Sequence, residues 1–186
     1  MADSAPPSFA VSTIGHSTRP IEEFIEILKA RGIRRLIDVR TVPRSRHNPQ
    51  FNRENLPASL EAAGIRYQHM PGLGGLRHAK RDSVNTGWRN ASFRGFADYM
   101  QTPEFAENLQ KLIELAREEP VAIMCAEAVP WRCHRSLIAD ALSARRIPVE
   151  EVINASSVRH HALTPFARVE GTQVTYPSSA SLELKF

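Results

Sequence analysis

Cysteine is scarce here: two residues in a chain of 186. That excludes a disulfide scaffold, and a reducing cytoplasm is the expected compartment. Long apolar runs are missing as well. Stretches such as Val121-Ala-Ile-Met124 fall far short of the roughly 20 residues that cross a bilayer, so no membrane partner is expected. The opening Met1-Ala-Asp-Ser-Ala-Pro-Pro7 has no basic segment followed by an apolar one and does not read as a signal peptide. Lysine is rare, with Lys29, Lys80, Lys111 and Lys185 the only four among 24 basic residues. The remainder are arginines, whose planar forks match phosphate and carboxylate oxygens in a way lysine does not. There is no internal repeat and no low-complexity tract. Gly72-Leu-Gly-Gly75 fits neither a Walker loop nor a dinucleotide fingerprint, and no cofactor is expected.

What is present reads as one α/β domain over residues 9–177, with tails at 1–8 and 178–186. Hydrophobic content of 42% supports a sizeable core, and this length favours a single domain. Strands are expected at Phe9–Ile14, Leu36–Val39, Ile65–Met70, Val121–Met124 and Val149–Ile153. Helices are expected at Ile21–Arg31 between Pro20 and Gly32, from an Asn52 cap to Ala63, and at Phe93–Met100, Glu104–Arg117 and Ser136–Arg145. Residues 71–92 read as a long basic loop, and Gln173–Pro177 as a small terminal strand or hairpin. Alternating strands and helices imply a three-layer domain. Its sheet should be mostly parallel, of about five strands, with helices on both faces.

In such a sheet, ligands bind at the carboxyl ends of the strands. The polar oddities fall there. His16 and Ser17 follow the first strand, Asp38 and Arg40 end the second, and Cys125 and Glu127 end the fourth. Cys133-His134-Arg135-Ser136 then opens a helix. A strand-end thiol near a helix start and Arg132 and Arg135 is placed to become a thiolate. The alternative is a buried cysteine acting as a small hydrophobe. Cys133 could pair with Cys125 on oxidation. Cys125, Glu127, Cys133, His134 and the distant His160 or His161 could also ligate a metal, although Cys-x7-Cys-His is not a recognised zinc spacing. Asp38 could orient Arg40 through a bidentate pair and present it, with Arg44, to an anion. His16 is a candidate proton carrier.

Ile14-Gly-His-Ser17, Leu36-Ile-Asp-Val-Arg40 with Pro43 and Ser45, Cys125-Ala-Glu127 and Cys133-His-Arg135 together resemble the family called domain of unknown function 488. Asn90-x-x-Phe-Arg-Gly-Phe-Ala-Asp-Tyr99 and His161-Ala-Leu-Thr-Pro165 are similar to it too. The likeness covers roughly residues 10–177. It implies a compact α/β domain and no established activity. Ile37-Asp-Val-Arg40 and the Cys125 to Arg135-Ser136 unit also resemble, more remotely, rhodanese-type sulfurtransferases and cysteine phosphatases. The nine-residue loop between Cys125 and Arg135 is longer than those families use, and it contains Pro130 and Trp131.

The functional expectation is an anion-binding, cysteine-containing site acting by thiolate-based sulfur or phosphoryl transfer. Cys125 would be the nucleophile. Arg132 and Arg135 would neutralise the oxyanion, and Glu127 or His16 would move protons. One alternative is a nucleic-acid or nucleotide binding module using Arg40, Arg44, Arg46, Arg77, Arg81 and Arg89. A second is a metal-dependent enzyme using Cys125, Cys133 and His134. Partners are accordingly an anionic small molecule or nucleic acid.

Overall fold

Residues 7–178 are described by the computed structural model. Among these residues eight strands form in chain order: β1 (Val11–Gly15), β2 (Arg35–Asp38), β3 (Arg66–His69), β4 (Val121–Cys125), β5 (Val149–Val152), β6 (Val158–His160), β7 (Arg168–Glu170) and β8 (Gln173–Thr175). Five α-helices accompany them: α1 (Ile21–Ala30), α2 (Leu56–Ala62), α3 (Ala91–Tyr99), α4 (Pro103–Glu118) and α5 (Arg135–Ser143). The main sheet has six strands in the order β3-β2-β4-β1-β5-β6, all parallel except β6, which runs antiparallel to β5. β8 falls within the expected Gln173–Pro177 segment and forms a hairpin with β7, which lies before it. The reading of 9–177 as one domain stays a proposal, and the tails at 1–8 and 178–186 lie mostly outside the described residues.

The core is two cores, one on each face of the sheet. Val11, Ile37, Val121 and Ile123 pack with Phe96, Leu109, Leu112 and Leu137 of α3, α4 and α5. Their chain neighbours Leu36, Ala122 and Met124 pack, with Ile14, against Phe24 and Leu28 of α1 and Leu56 and Leu60 of α2. Alternate residues of a strand point to opposite faces, so strands buried on both sides read as continuous apolar runs. α1 also obeys its end signals. Glu22 and Glu23 lie in its first turn, Lys29 in its last, and Gly32 follows at φ +67°.

Three details differ from expectation. α2 starts at Leu56 rather than after Asn52, because the Asn52 side chain accepts a hydrogen bond from the Ser45 backbone at 2.6 Å and pins the preceding loop instead. β6 was not anticipated. Its Val158-Arg159-His160 carries little apolar signal and becomes a strand only by pairing with β5. Asn90 and Thr102 cap α3 and α4, so those helices start at Ala91 and Pro103.

Candidate functional site

β1 and β4 lie side by side, but the chain leaves them in opposite directions. After β1 it crosses through α1 to β2, and after β4 it crosses through α5 to β5, on the other face. This is a switch point, where the two loops part and leave a crevice. The backbone there is tightly laced. Gly15 pairs with Cys125, and the His16 and Ser17 amides donate to the carbonyls of Cys125 and Ala126, each at 2.9 Å. A Cβ on Gly15 would lie 2.0 Å from the Glu127 carbonyl oxygen, so only glycine lets the two loops approach this closely.

Next to this, Asp38 and Arg40 form the expected bidentate pair, with Nε to Oδ1 at 2.9 Å and Nη2 to Oδ2 at 2.6 Å. Arg40 Nη2 also donates to the Phe51 carbonyl, its Nη1 donates to His16 Nε2, and the Tyr67 hydroxyl donates to Asp38. Asp38 is fully buried and Arg40 nearly so. Presentation of Arg40 to an anion stays a proposal, for the guanidinium is largely committed inside the fold. Its charge is offset by Asp38 and most of its N–H groups are engaged. His16 is held as closely. Its Nδ1–H donates to the Ser17 carbonyl at 2.7 Å, its Nε2 accepts from Arg40, and its ring stacks on Phe51. Burial, with Arg40 beside it, lowers its pKa to about 4. With both ring nitrogens engaged, His16 is held in one orientation at the cleft wall, and its expected role as a proton carrier stays a proposal.

The loop after β4 turns back through a short 3-10 turn, Pro130–Arg132, and brings Cys133 beside Cys125. The Trp131 ring lies 4.9 Å under the Arg159 guanidinium, which pairs with Glu151, and this ties the turn to β6. The two sulfurs and a His134 ring nitrogen all lie within 4.8 Å of one another. Both thiols are free. The hydrogen bond between the thiols raises the Cys125 pKa, burial adding to it, and lowers that of Cys133, which His134 and Arg135 also favour as an anion. His134 Nε2 lies 3.1 Å from each of two carbonyl oxygens, Val39 and Leu73.

Arg135 is 1% exposed and donates to the Thr13 hydroxyl at 2.5 Å and the Glu127 carbonyl at 2.6 Å. Its Nε has no partner, and among the described residues no carboxylate pairs with it. A buried guanidinium without a counter-ion is costly and favours negative charge nearby. It sits beneath the site and does not line it, so its influence on an oxyanion is through charge rather than contact.

Above these groups opens a cleft of about 690 Å³. Of the eleven expected site residues, nine line it: His16, Ser17, Arg40, Arg44, Cys125, Glu127, Arg132, Cys133 and His134; Asp38 and Arg135 lie behind. Arg44 and Arg132 are exposed, and no carboxylate among the described residues pairs with either. Glu127 has one long bond, from the Val129 amide at 3.3 Å. Ser17 holds a left-handed backbone, φ +50°, at the cleft's edge.

Two contributors were not legible as such. Thr13, inside β1, supplies the hydroxyl that Arg135 uses. Gly75 packs against the His134 ring, where a Cβ would come within 2.6 Å of Nδ1. The glycines at 72–75 thus serve close packing rather than a phosphate cradle. Gly72 meets Asn108, and Gly74 meets Thr41. Of the arginines expected to contact nucleic acid, Arg77 is also engaged, lying 3.5 Å over the Tyr99 ring and donating to the Gly74 carbonyl.

A family model, the domain of unknown function DUF488, matches residues 20–142. The chain belongs to this family. No curated protein and no solved structure matches it significantly. The match covers Asp38-Val-Arg40, Asn90–Tyr99, Cys125-Ala-Glu127 and Cys133-His-Arg135, and it leaves out Ile14–Ser17 and His161–Pro165. It does not extend to rhodanese-type sulfurtransferases or cysteine phosphatases. Among the described residues no helix is long and apolar enough to cross a membrane.

Proposed function

We propose that this DUF488 protein binds a small anion in the switch-point cleft and acts on it at the Cys125–Cys133–His134 centre. The observation that carries this reading is the meeting, in one cleft, of two free thiols, an imidazole and two arginines that no carboxylate among the described residues pairs with. Arg44 and Arg132 hold the anion. Buried Arg135 stabilises charge that develops beside the sulfurs. Glu127 faces the same space and carries protons. The centre suits transfer through the Cys133 sulfur, or Lewis-acid chemistry through a metal held by the same donors.

Titration calorimetry with inorganic phosphate, sulfate and thiosulfate at low ionic strength tests the reading. At least one should bind the wild-type protein, and Arg44→Ala/Arg132→Ala should weaken it by about tenfold or more, about 1.4 kcal/mol. The bound anion should also slow alkylation of the two cysteines. Absence of binding for all three anions, or binding that the double variant leaves intact, would overturn it.

A further inference from the structure

We propose that Cys125, Cys133 and His134 hold one zinc ion, with a fourth coordination position open to the cleft. Zinc bonds of about 2.3 Å to sulfur and about 2.1 Å to nitrogen, at tetrahedral angles, place sulfur and nitrogen about 3.6 Å apart and two sulfurs about 3.8 Å apart. Cys133 Sγ and His134 Nδ1 are 3.7 Å apart, and all three donor atoms fall within 4.8 Å of one another. Metal binding therefore asks for small side-chain adjustments only.

The imidazole is already set for ligation. Its Nε2 faces the carbonyl oxygens of Val39 and Leu73, which only accept hydrogen bonds. Nε2 therefore carries the proton, and Nδ1 presents its lone pair towards Cys133. A ligating histidine ordinarily donates its far N–H to a carbonyl or carboxylate, which fixes both tautomer and ring plane. Gly75 keeps the space beside Nδ1 clear, since a Cβ there would sit 2.6 Å from that nitrogen.

The donor set selects the metal class. Two sulfurs and one imidazole are soft or borderline, whereas magnesium and calcium need oxygen. Three protein ligands on a cleft wall are the pattern of a zinc site with an exchangeable position; a purely structural site would close with four. Charge points the same way. Two thiolates offset the dication, and Arg135 then leaves one positive charge in a buried setting where no carboxylate among the described residues pairs with it. A water-derived hydroxide or a substrate anion in the fourth position neutralises it. This last step, and only this, rests on the proposed anion-binding role of the cleft.

The test uses the full chain, purified without a metal-affinity tag from cells grown with added zinc. Elemental analysis should give about one zinc per chain. Cobalt substitution should give the visible absorption of a tetrahedral thiolate-bound ion. Cys125→Ser, Cys133→Ser and His134→Ala should each lose most of the metal. Because such variants can fail to fold, the wild-type protein supplies a second readout: alkylation of both cysteines should be slow until a chelator is added. Protein free of zinc that shows no cobalt spectrum and alkylates equally with and without chelator would overturn the proposal. Phosphate titration of the metal-free protein separates the two ideas. Anion binding without metal binding leaves the cleft reading intact and removes the zinc site; metal binding without anion binding does the reverse.

Discussion

At Gly15 a single hydrogen keeps the β1 and β4 loops in contact. Gly15→Ala would drive a methyl group to 2.0 Å from the Glu127 carbonyl, and backbone cannot yield as a flexible side chain can. Overpacking of this kind costs about 1–3 kcal/mol, which should appear as a lower urea midpoint with an unchanged slope. An unchanged midpoint would show that the loops separate freely. Asp38→Asn is the corresponding test of the buried pair. It leaves the Arg40 guanidinium, 6% exposed, without its counter-charge. Breaking a buried ion pair from one side costs about 3–5 kcal/mol. A loss below about 1 kcal/mol would mean that Arg40 finds water or another partner.

Among the elements, β6 and the segment leading to β8 are held on α5 by one polar cluster. His161 Nε2 lies 2.8 Å from Asp140 and Nδ1 2.9 Å from Glu151; the Thr164 amide and Tyr176 hydroxyl donate to Asp140. Burial alone would lower the His161 pKa, but the hydrogen bonds it donates to the two carboxylates outweigh that and raise it above 6.5. A pKa raised in the fold means stabilisation that is full below the unfolded value and lost as pH rises through the folded one. His161→Gln should therefore cost more stability at about pH 6 than at about pH 9, by denaturant melts at both. Equal costs would show a neutral His161. This cluster was not readable beforehand, because Asp140, Glu151, His161 and Tyr176 meet only through the tertiary fold. β1, β2 and β4 were readable, since short apolar runs bounded by turn residues have few alternatives. The site was half legible. Cys125 stands visibly at a strand end. That Cys133 folds back beside it depends on the Pro130–Arg132 turn, which periodicity does not reveal. Asn52 misled because its side chain can cap a helix or pin a loop equally well.

Over the whole molecule, the arginines divide by location. At the end of the sheet where β2 and β3 begin, Arg35 and Arg66 share Glu119, and Arg31 pairs with Glu150. At the opposite end, Arg44 and Arg132 have no carboxylate partner among the described residues. Two arginines at the cleft thus have no carboxylate among the described residues to offset them. Anion affinity should fall steeply as salt is raised from about 0.01 M to about 0.15 M, where the screening length drops from about 30 Å to about 8 Å. Arg31→Gln should leave that affinity unchanged. A salt-independent affinity would place the anion away from these charges.

The strand order carries a consequence for how the protein is made. β1 and β2 touch only through β4, which slips between them and pairs with both. A ribosome releases β1 and β2 more than 80 residues before β4 is complete, so until Cys125 emerges the sheet exists only as separate pieces. Every donor atom of the centre arrives with or after that last central strand. Joining the two pieces of the sheet and bringing Cys125 beside Gly15 are therefore one event; Cys133 and His134 follow it, and β5 and β6 extend the sheet last.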